Sequence, residues 1–513
     1  QTGGSRKMTT ANVYLVGAGP GDPGLITVKG KECIQKADVL IYDYLASPDL
    51  LKYASKSAQL IYVGKQGGDH TLPQEQISEL LVAKAKTGAI VTRLKGGDPF
   101  IFGRGGEEAE ELAAAGIVFE IVPGVTSAVA APAYAGIPLT HRQFTSTVAF
   151  VTGHEDPNKA ESSIDWACLA KGIGTVVFFM GVKNLPMIVD QLIRHGLPSD
   201  RPVAVVRWGT TPAQVTVTGT AADIVDRVRR AGLKAPAIIV VGDVVRLRET
   251  LQWFETRPLW GKRIVVTRSR EQASDLIRML SDMGAECLEC PTIDIVAPEN
   301  SGPLDQAIAN LAAYDWLVFT SANAVTHFFE RLFESDHDLR ALHHIHTAAI
   351  GPATADRLFE FGLRSDIVPD TYRAESVVDA FRNQHLLGKR ILLPRAKEAR
   401  PILPAELAKM GAHVDEVTVY ETRSVPENSE MITDQLSQQR IDLITFTSSS
   451  TVKNFKALIP AAMFESLVRG VPTASIGPIT AETAAELGFE VTIVAPTYTI
   501  PGLCEAILHH YRD

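Results

Sequence analysis

The sequence predicts an α/β protein throughout: a two-subdomain α/β half followed by a bilobal α/β half that contains an internal duplication. Three observations carry this. From Asn12 to the end of the 513-residue chain, apolar strand-like runs alternate with amphipathic helical stretches. The stretch RLRETLQWFETRPLWGKR (246–263) interrupts that alternation, and a fresh strand, RIVVTR, begins at its end. Beyond it, the second half repeats itself at a constant spacing.

In the first half the runs VYLVG, VLIYD, AIVTRL, TVVFFM and AIIVVG are rich in β-branched residues, and glycine or a helix-forming segment follows each. The expected division is a tail or cloning remnant at 1–10, an N-terminal subdomain at 11–138, a C-terminal subdomain at 139–254 and a linker at 255–262. In the second half GKRIVVTRSREQASDLIRMLSDMGAE (261–286) matches GKRILLPRAKEARPILPAELAKMGAH (388–413). DWLVFTSANAVTHF (315–328) matches DLITFTSSSTVKNF (442–455), and AAIGPATADRLFEFG (348–362) matches ASIGPITAETAAELG (474–488). Arg268 and Arg395 stand 127 apart, Ser321 and Ser448 also 127, and Thr354 and Thr480 126. So constant an offset predicts two similar lobes, each a small parallel sheet with flanking helices, with a ligand in the cleft between them. The chain is expected to leave the first lobe (263–296 and 421–513) once and return to it after the second (297–420).

Composition narrows the function. Apolar residues make up 45% and charged residues 21%, as in a globular protein in water. A net charge of −9 without a basic run argues against nucleic acid. No apolar stretch approaches the roughly 18 residues of a membrane span. Five scattered cysteines fit a reducing cytoplasm. QTGGSRK, ahead of Met8, reads as a tail and not as a signal peptide. Cys287 and Cys290 form a lone CxxC, and His343, His344 and His346 sit in a polar connection; neither set predicts a metal site.

Two loops concentrate glycine after strands: GAGPGDPGLIT (17–27) and RLKGGDPFIFGRGGEE (93–108). The second lacks the Lys-Ser/Thr pair of a phosphate loop, and the first has Asp22 where a dinucleotide fingerprint needs glycine. Both follow parallel strands, whose carboxyl ends are where α/β proteins bind ligands.

Together with YDYLAS (42–47), PGVTSAVAAPAYAGIPLTHR (123–142) and VTGH (151–154), these loops resemble the uroporphyrinogen-III C-methyltransferases of the tetrapyrrole methyltransferase family. The resemblance runs from about Asn12 to Phe254. It implies two α/β subdomains, a homodimer, and S-adenosyl-L-methionine in the inter-subdomain cleft, leaving as S-adenosyl-L-homocysteine. The cofactor residues it implies are Pro20, Gly96, Gly97, Asp98, Ile101, Thr126, Ser127, Met180 and Gly209; for Met180 core packing is the competing reading. Asp43 is the implied base, and Lys65 the implied acid or substrate anchor; for each a solvated strand-end charge is the competing reading. The substrate is a polycarboxylate, so charge alone makes Arg93, Lys95, Arg104, His141 and Arg142 candidate partners.

VVTR, FTSANAV, IGPATA, LLPRA, VYET, FTSSSTV and IGPITA resemble the uroporphyrinogen-III synthases across Gly261 to Asp513. That family cyclises hydroxymethylbilane with inversion of the last pyrrole and needs no cofactor. Ser321, Thr354, Ser448 and Thr480 are candidate donors to substrate carboxylates, with helix N-capping as the competing reading. Tyr420, in VTVYETR, matches the residue that assists departure of the substrate hydroxyl, with packing as its alternative.

The joint expectation is a bifunctional enzyme. It would make uroporphyrinogen III, then methylate it at C2 and C7 to precorrin-2 for sirohaem or cobalamin synthesis. No NAD-dependent segment is seen, so precorrin-2 is the expected product. Nucleic acid and membrane are not expected partners. The rivals are another tetrapyrrole methyltransferase specificity and a silent second half that only binds tetrapyrrole or dimerises.

Overall fold

Runs of Val, Ile, Leu and aromatic residues become strands, and the central ones (among them 91–95, 175–179, 316–319 and 443–446) are buried along their whole length, as sheets under helices require. The computed structural model describes residues 12–64, 72–154, 163–268, 270–369, 374–382, 384–397, 402–426 and 428–512. The chain divides into two units, Gln1–Lys262 with Ser281–Glu286, and Arg263–Leu280 with Cys287–Asp513.

In the first unit β1 (Val13–Gly17), β2 (Val39–Tyr42), β3 (Gln59–Tyr62), β4 (Val91–Lys95) and β5 (Phe119–Val122) form one sheet in the order β3-β2-β4-β1-β5. Every neighbouring pair is parallel. The loops after β1, β2, β4 and β5 therefore emerge along one edge. A second sheet holds β6 (Val148–Thr152), β7 (Thr175–Phe179), β8 (Pro202–Arg207), β9 (Val215–Thr220) and β10 (Ala237–Val241) in the order β6-β7-β10-β8-β9. Here β6 and β7 are parallel and the remaining pairs antiparallel.

The helix Ser127–Tyr134 lies ahead of the expected subdomain boundary, yet it packs on the second sheet. Ala128, Ala131 and Ala135 are buried with Val177, Phe179, Ala204, Val206 and Val240. Its small side chains permit the close approach: a Cβ on Gly209 would overlap Ala131.

In the second unit β11 (Arg263–Val266), β12 (Glu286–Glu289), β18 (Leu443–Phe446), β19 (Pro472–Ser475) and β20 (Glu490–Val494) form a sheet in the order β12-β11-β18-β19-β20. β13 (Ile293–Val296), β14 (Trp316–Phe319), β15 (His346–Ala349), β16 (Arg390–Ala396) and β17 (His413–Ser424) form the other, ordered β13-β17-β16-β14-β15. The repeat is visible in both. β17, β16, β14 and β15 take the places of β12, β11, β18 and β19, and a single bridge from Ala348 to Ile367 stands where β20 pairs. Phe319 and Phe446, and Phe328 and Phe455, are matched pairs with no solvent exposure.

The lobe boundary differs from the expectation. Residues 293–296 and 421–424, placed by sequence with the first lobe, pair antiparallel with each other in the second lobe's sheet. β17 runs past its neighbour β16, and β13 covers the edge so exposed. That strand also makes the second sheet mixed instead of wholly parallel.

Candidate functional site

Four loops meet at the carboxyl edge of the first sheet, and glycine lets them touch backbone to backbone. Gly19 and Gly97 exchange hydrogen bonds, the Gly97 N–H donating to the Gly19 carbonyl at 2.7 Å and the Gly19 N–H to the Gly97 carbonyl at 3.2 Å. A Cβ on Gly17 would lie 2.5 Å from Gly124 Cα, and one on Gly124 would overlap the Gly97 carbonyl. Part of the glycine cluster thus answers to the protein's own chain. Gly96 likewise makes room for Leu45 of the YDYLAS loop.

The two aspartates of the glycine loops are braces. Asp98 Oδ1 accepts from Phe100 N–H at 2.8 Å, and its Oδ2 from Gly124 N–H at 3.0 Å. Asp22 Oδ1 accepts from Gly24 N–H at 2.8 Å, and its Oδ2 from the Tyr134 hydroxyl at 2.8 Å. Burial, reinforced by that bond, pushes the Tyr134 phenol well above its ordinary range. The Asp22 N–H donates to Thr210 Oγ1 at 3.0 Å, tying the first loop to the segment after β8.

Backbone strain gathers at the same place. Six described non-glycine residues have left-handed φ, and five of them are Phe102, Arg104, Met180, Trp208 and Thr210, at 52, 58, 53, 48 and 73°. Such conformations cost on the order of 1–3 kcal/mol each and concentrate at ligand sites. An open cleft of about 550 Å3 is lined by residues of this group and their neighbours: Pro99, Phe100, Phe102, Arg104, Glu107, Thr152 and Met180. Phe102 meets Phe179 in a tilted contact with centroids 5.0 Å apart, and Tyr44 meets Trp208 edge-on at 5.6 Å.

Against this frame the expected cofactor residues fall as follows. Gly97, Thr126 and Ser127 adjoin, a Cβ on Gly97 lying 3.8 Å from Ser127 N and Thr126 Cα. Thr126 caps the helix Ser127–Tyr134, and Ile101 and Gly209 pack around that helix. Pro20 occupies the bend between Gly19 and Gly21, and Met180 is half exposed on the cleft wall, outside the core. Sequence reasoning passed over Phe100, Phe102, Glu107 and Thr152; the strand-loop rule that found Gly96 to Asp98 reaches the first three as well.

The charged candidates divide. Arg93 and Lys95 are buried to 3% and 4% exposure and turn inward to Glu108, itself fully buried. Lys95 Nζ is 2.7 Å from Glu108 Oε1, which Gln74 also approaches at 3.0 Å, while Arg93 Nε stands at 3.4 Å. Burial, then the Arg93 charge, pushes the Lys95 amine down, with Glu108 opposing. Neither side chain faces the cleft as a substrate partner should. Being two apart in β4, they share a face of a buried strand, and both needed an acid beneath them. Asp43 accepts from Arg93 at 3.0 Å through Oδ2 and from Leu45 N–H through Oδ1 at 3.1 Å, so both its oxygens are engaged. Arg104, beside the cleft, bonds Glu107 at 2.6 Å. His141 opens a turn closed by Thr145, and Arg142 next to it is exposed. Lys65 lies outside the described residues.

In the second unit the strand-end hydroxyls are helix caps. Ser321 Oγ accepts from Ala324 N–H at 3.1 Å, and Ser448 Oγ from Thr451 N–H at 3.3 Å in a reciprocal capping box. Thr354 and Thr480 are buried in the first turns of the helices Pro352–Glu360 and Pro478–Glu486. The pairs differ in one contact. Ser321 Oγ lies 3.2 Å from the Tyr420 hydroxyl, whereas Ser448 Oγ meets Ser450 Oγ at 2.9 Å. Tyr420 is 9% exposed and lies within β17, before the chain turns back to the first lobe. Cys290, of the CxxC pair, is a packing thiol pushed up to about 12 by burial.

Comparison with known proteins agrees with this division. Residues 12–225 match the family model of tetrapyrrole (corrin/porphyrin) methylases, and residues 274–505 that of uroporphyrinogen-III synthase HemD. A porphyrin biosynthesis protein HemD of Ruminiclostridium josui is 38% identical over 496 residues, 97% of this chain and 97% of that protein. A uroporphyrinogen-III C-methyltransferase of Priestia megaterium is 57% identical over 233 residues, 45% of this chain and 98% of its own. An S-adenosyl-L-methionine-dependent uroporphyrinogen III methyltransferase of Methanosarcina barkeri (strain Fusaro / DSM 804) is 55% identical over 239 residues, 47% of this chain and 94% of its own.

Proposed function

We propose, from a chain that belongs to the tetrapyrrole methylases in its first half and to the uroporphyrinogen-III synthases in its second, that both halves act on one route. The second half cyclises hydroxymethylbilane to uroporphyrinogen III. The first methylates that product at C2 and C7 to precorrin-2, on the way to sirohaem or cobalamin. The observation that carries the reading is the meeting of two glycine-aspartate-proline loops beside the strained cleft of the first unit.

The cleft suits S-adenosyl-L-methionine. Its volume falls within the range of roughly 300–1,000 Å3 found for cofactor pockets. Phe100, Phe102 and Met180 offer apolar walls, and Arg104 and Glu107 offer charges, at its rim. Gly97, Asp98, Thr126 and Ser127 would hold the cofactor from the loop side. When bound, it supplies an electrophilic methyl group. The protein's own share is positioning, which aligns the pyrrole carbon with that methyl, and exclusion of water. Asp43, which Arg93 holds at the strand end, would receive the proton released afterwards. Arg104, His141 and Arg142 remain as partners for substrate carboxylates; Arg93 and Lys95 serve the scaffold.

In the second unit Tyr420 is the group that assists loss of the substrate hydroxyl. Its phenol rests on Ser321 at the mouth of a helix, where a hydrogen bond can be passed to a departing oxygen.

The same reading takes the protein as a homodimer through its methyltransferase half, as family resemblance implies. It places the protein in the cytoplasm, without membrane or nucleic-acid partners, supported by five cysteines none of which is paired. Among the described residues no helix is long and apolar enough to cross a membrane. The test is to supply uroporphyrinogen III with S-adenosyl-L-methionine. Two methyl groups should enter each macrocycle and two S-adenosyl-L-homocysteines be released; absence of methylation would overturn the reading.

A further inference from the structure

We propose that Glu108 is a positioning residue for the methylation, one that holds Arg93 so that it gives Asp43 a single hydrogen bond. This rests on reading Asp43 as the base that takes the substrate proton.

β4 places Arg93 and Lys95 on one face of a buried strand. The helix Gly105–Ala114 brings Glu108, in its first turn, against both. All three guanidinium nitrogens of Arg93 are then engaged. Nε donates to Glu108 Oε1 at 3.4 Å, Nη1 to the Leu94 carbonyl at 3.0 Å, and Nη2 to Asp43 Oδ2 at 3.0 Å. A guanidinium grips a carboxylate most strongly through two parallel N–H donors. Nη2 could form such a fork with Nε or with Nη1; Glu108 takes the first and the Leu94 carbonyl the second. Asp43 therefore receives one N–H from Arg93 and one from Leu45, the latter on Oδ1 at 3.1 Å. A carboxylate offers about four lone pairs, so two stay open to a proton. The Asp43 side chain is 25% exposed, against 3% for Arg93 and none for Glu108.

Charge balance alone does not explain the arrangement. Lys95 Nζ at 2.7 Å, Gln74 Nε2 at 3.0 Å and Arg93 Nε share Glu108 Oε1, while Oε2 is sealed from solvent without a hydrogen-bond partner. An acid present only to neutralise cations would gain by using both oxygens, because an unpaired buried oxygen is costly. Gln74, from the helix Gln74–Lys86, is an uncharged donor that neutrality does not call for. It fixes the angle of the carboxylate that holds the Nε edge of Arg93.

The proton step gives this geometry its use. After the pyrrole carbon has taken the methyl group, a carbon–hydrogen bond breaks and its electron pair returns to the cationic ring. The proton forms an O–H bond on Asp43 and passes from there to solvent. Until it leaves, the methylation is incomplete, so the strength of Asp43 as a base enters the rate. A fork from Arg93 would stabilise the carboxylate anion and weaken that base. Burial, then the Arg93 charge, pushes the Lys95 amine down, so Lys95 can shed its proton if Glu108 loses its charge. Arg93 is then left with Asp43 as its only anion.

The experiment uses the full chain with uroporphyrinogen III and S-adenosyl-L-methionine, reading kcat, KM, thermal unfolding and affinity for S-adenosyl-L-homocysteine. Glu108→Gln keeps the shape and removes the charge that draws Nε. Its kcat should be about tenfold lower, with KM and S-adenosyl-L-homocysteine affinity close to wild type. Lys95→Met alone leaves Glu108 to Arg93 and should keep the wild-type kcat. Glu108→Gln combined with Lys95→Met removes one charge of each sign, so the cluster stays balanced. The pair should unfold close to wild type and still show the tenfold lower kcat. Recovery of kcat in the balanced pair would reduce Glu108 to a counter-charge, and wild-type kcat in Glu108→Gln would detach it from the reaction. A loss in Lys95→Met equal to that in Glu108→Gln would assign the effect to the buried charges at large. Each of these overturns the inference and leaves Asp43 in place. If Glu108→Gln alone fails to fold, the balanced pair decides by the same criterion. Wild-type turnover in Asp43→Asn would instead remove the reading beneath it.

Discussion

The two halves of the chain carry their candidate sites at the same topological position, the carboxyl ends of parallel strands, and build them by opposite means. The first half removes side chains. Gly17, Gly97 and Gly124 touch through backbone, Asp22 and Asp98 brace the loops, and three left-handed residues, Phe102, Arg104 and Met180, shape the wall. The second half keeps regular strand-to-helix turns closed by hydroxyl caps, and its candidate groups are side chains laid over them. The first site should therefore fail through its backbone, and the second through single functional groups on a tolerant scaffold.

The largest effect expected is at Gly124, where an added Cβ would strike the Gly97 carbonyl and Gly17 Cα, neither of which can swing aside. Gly124→Ala should destabilise the first unit by about 3 kcal/mol, seen in urea unfolding, and abolish methyl transfer. Isomer III formation should survive. Unfolding like wild type would show that the loops have more room than their contacts indicate.

Next comes Asp98, which holds two amides of two different loops. Two hydrogen bonds to a charged acceptor are at stake, so Asp98→Ala should weaken S-adenosyl-L-homocysteine binding by at least about a hundredfold. Calorimetry measures this directly, and an unchanged affinity would take Asp98 out of the cofactor site.

A smaller effect is expected at Tyr420. Tyr420→Phe keeps the buried ring and removes the donor, so isomer III formation should slow by at least about tenfold while isomer I accumulates from the uncatalysed route. Methylation of supplied uroporphyrinogen III should be unaffected. Rates and isomer ratio equal to wild type would leave orientation alone to drive the reaction.

The smallest effects sharpen the comparison most. Ser321→Ala and Ser448→Ala each delete a helix cap and should each cost about 1 kcal/mol of stability. Only Ser321 touches Tyr420, so only its replacement should also lower the rate. Equal rate losses in both would mean that the caps serve the substrate symmetrically.

Much of this was legible in the sequence because it depends on local rules. Glycine-aspartate-proline after a strand, a constant offset of 127, and serine ahead of an amphipathic run each carry a short-range physical meaning. The parts that escaped depend on partners far along the chain. Arg93 and Lys95 look like ligands for carboxylates until Glu108 is seen to occupy both from an adjacent helix. The helix Ser127–Tyr134 reads as part of the first subdomain, though its alanine face was made for the second sheet. The pairing of β13 with the end of β17 is antiparallel and joins residues more than a hundred positions apart, which no periodicity reveals. Tyr420 was legible as a candidate, but its seat on Ser321 and its stack with His327 required the folded lobe.

The central claim is that one chain makes uroporphyrinogen III and then methylates it. Mass spectrometry of the products from hydroxymethylbilane, with and without S-adenosyl-L-methionine, tests it most directly. Without the methyl donor the product should be uroporphyrinogen III; with it, precorrin-2. Formation of isomer I alone in both reactions would contradict the account, leaving the second half a binding module and the first without the substrate assigned to it.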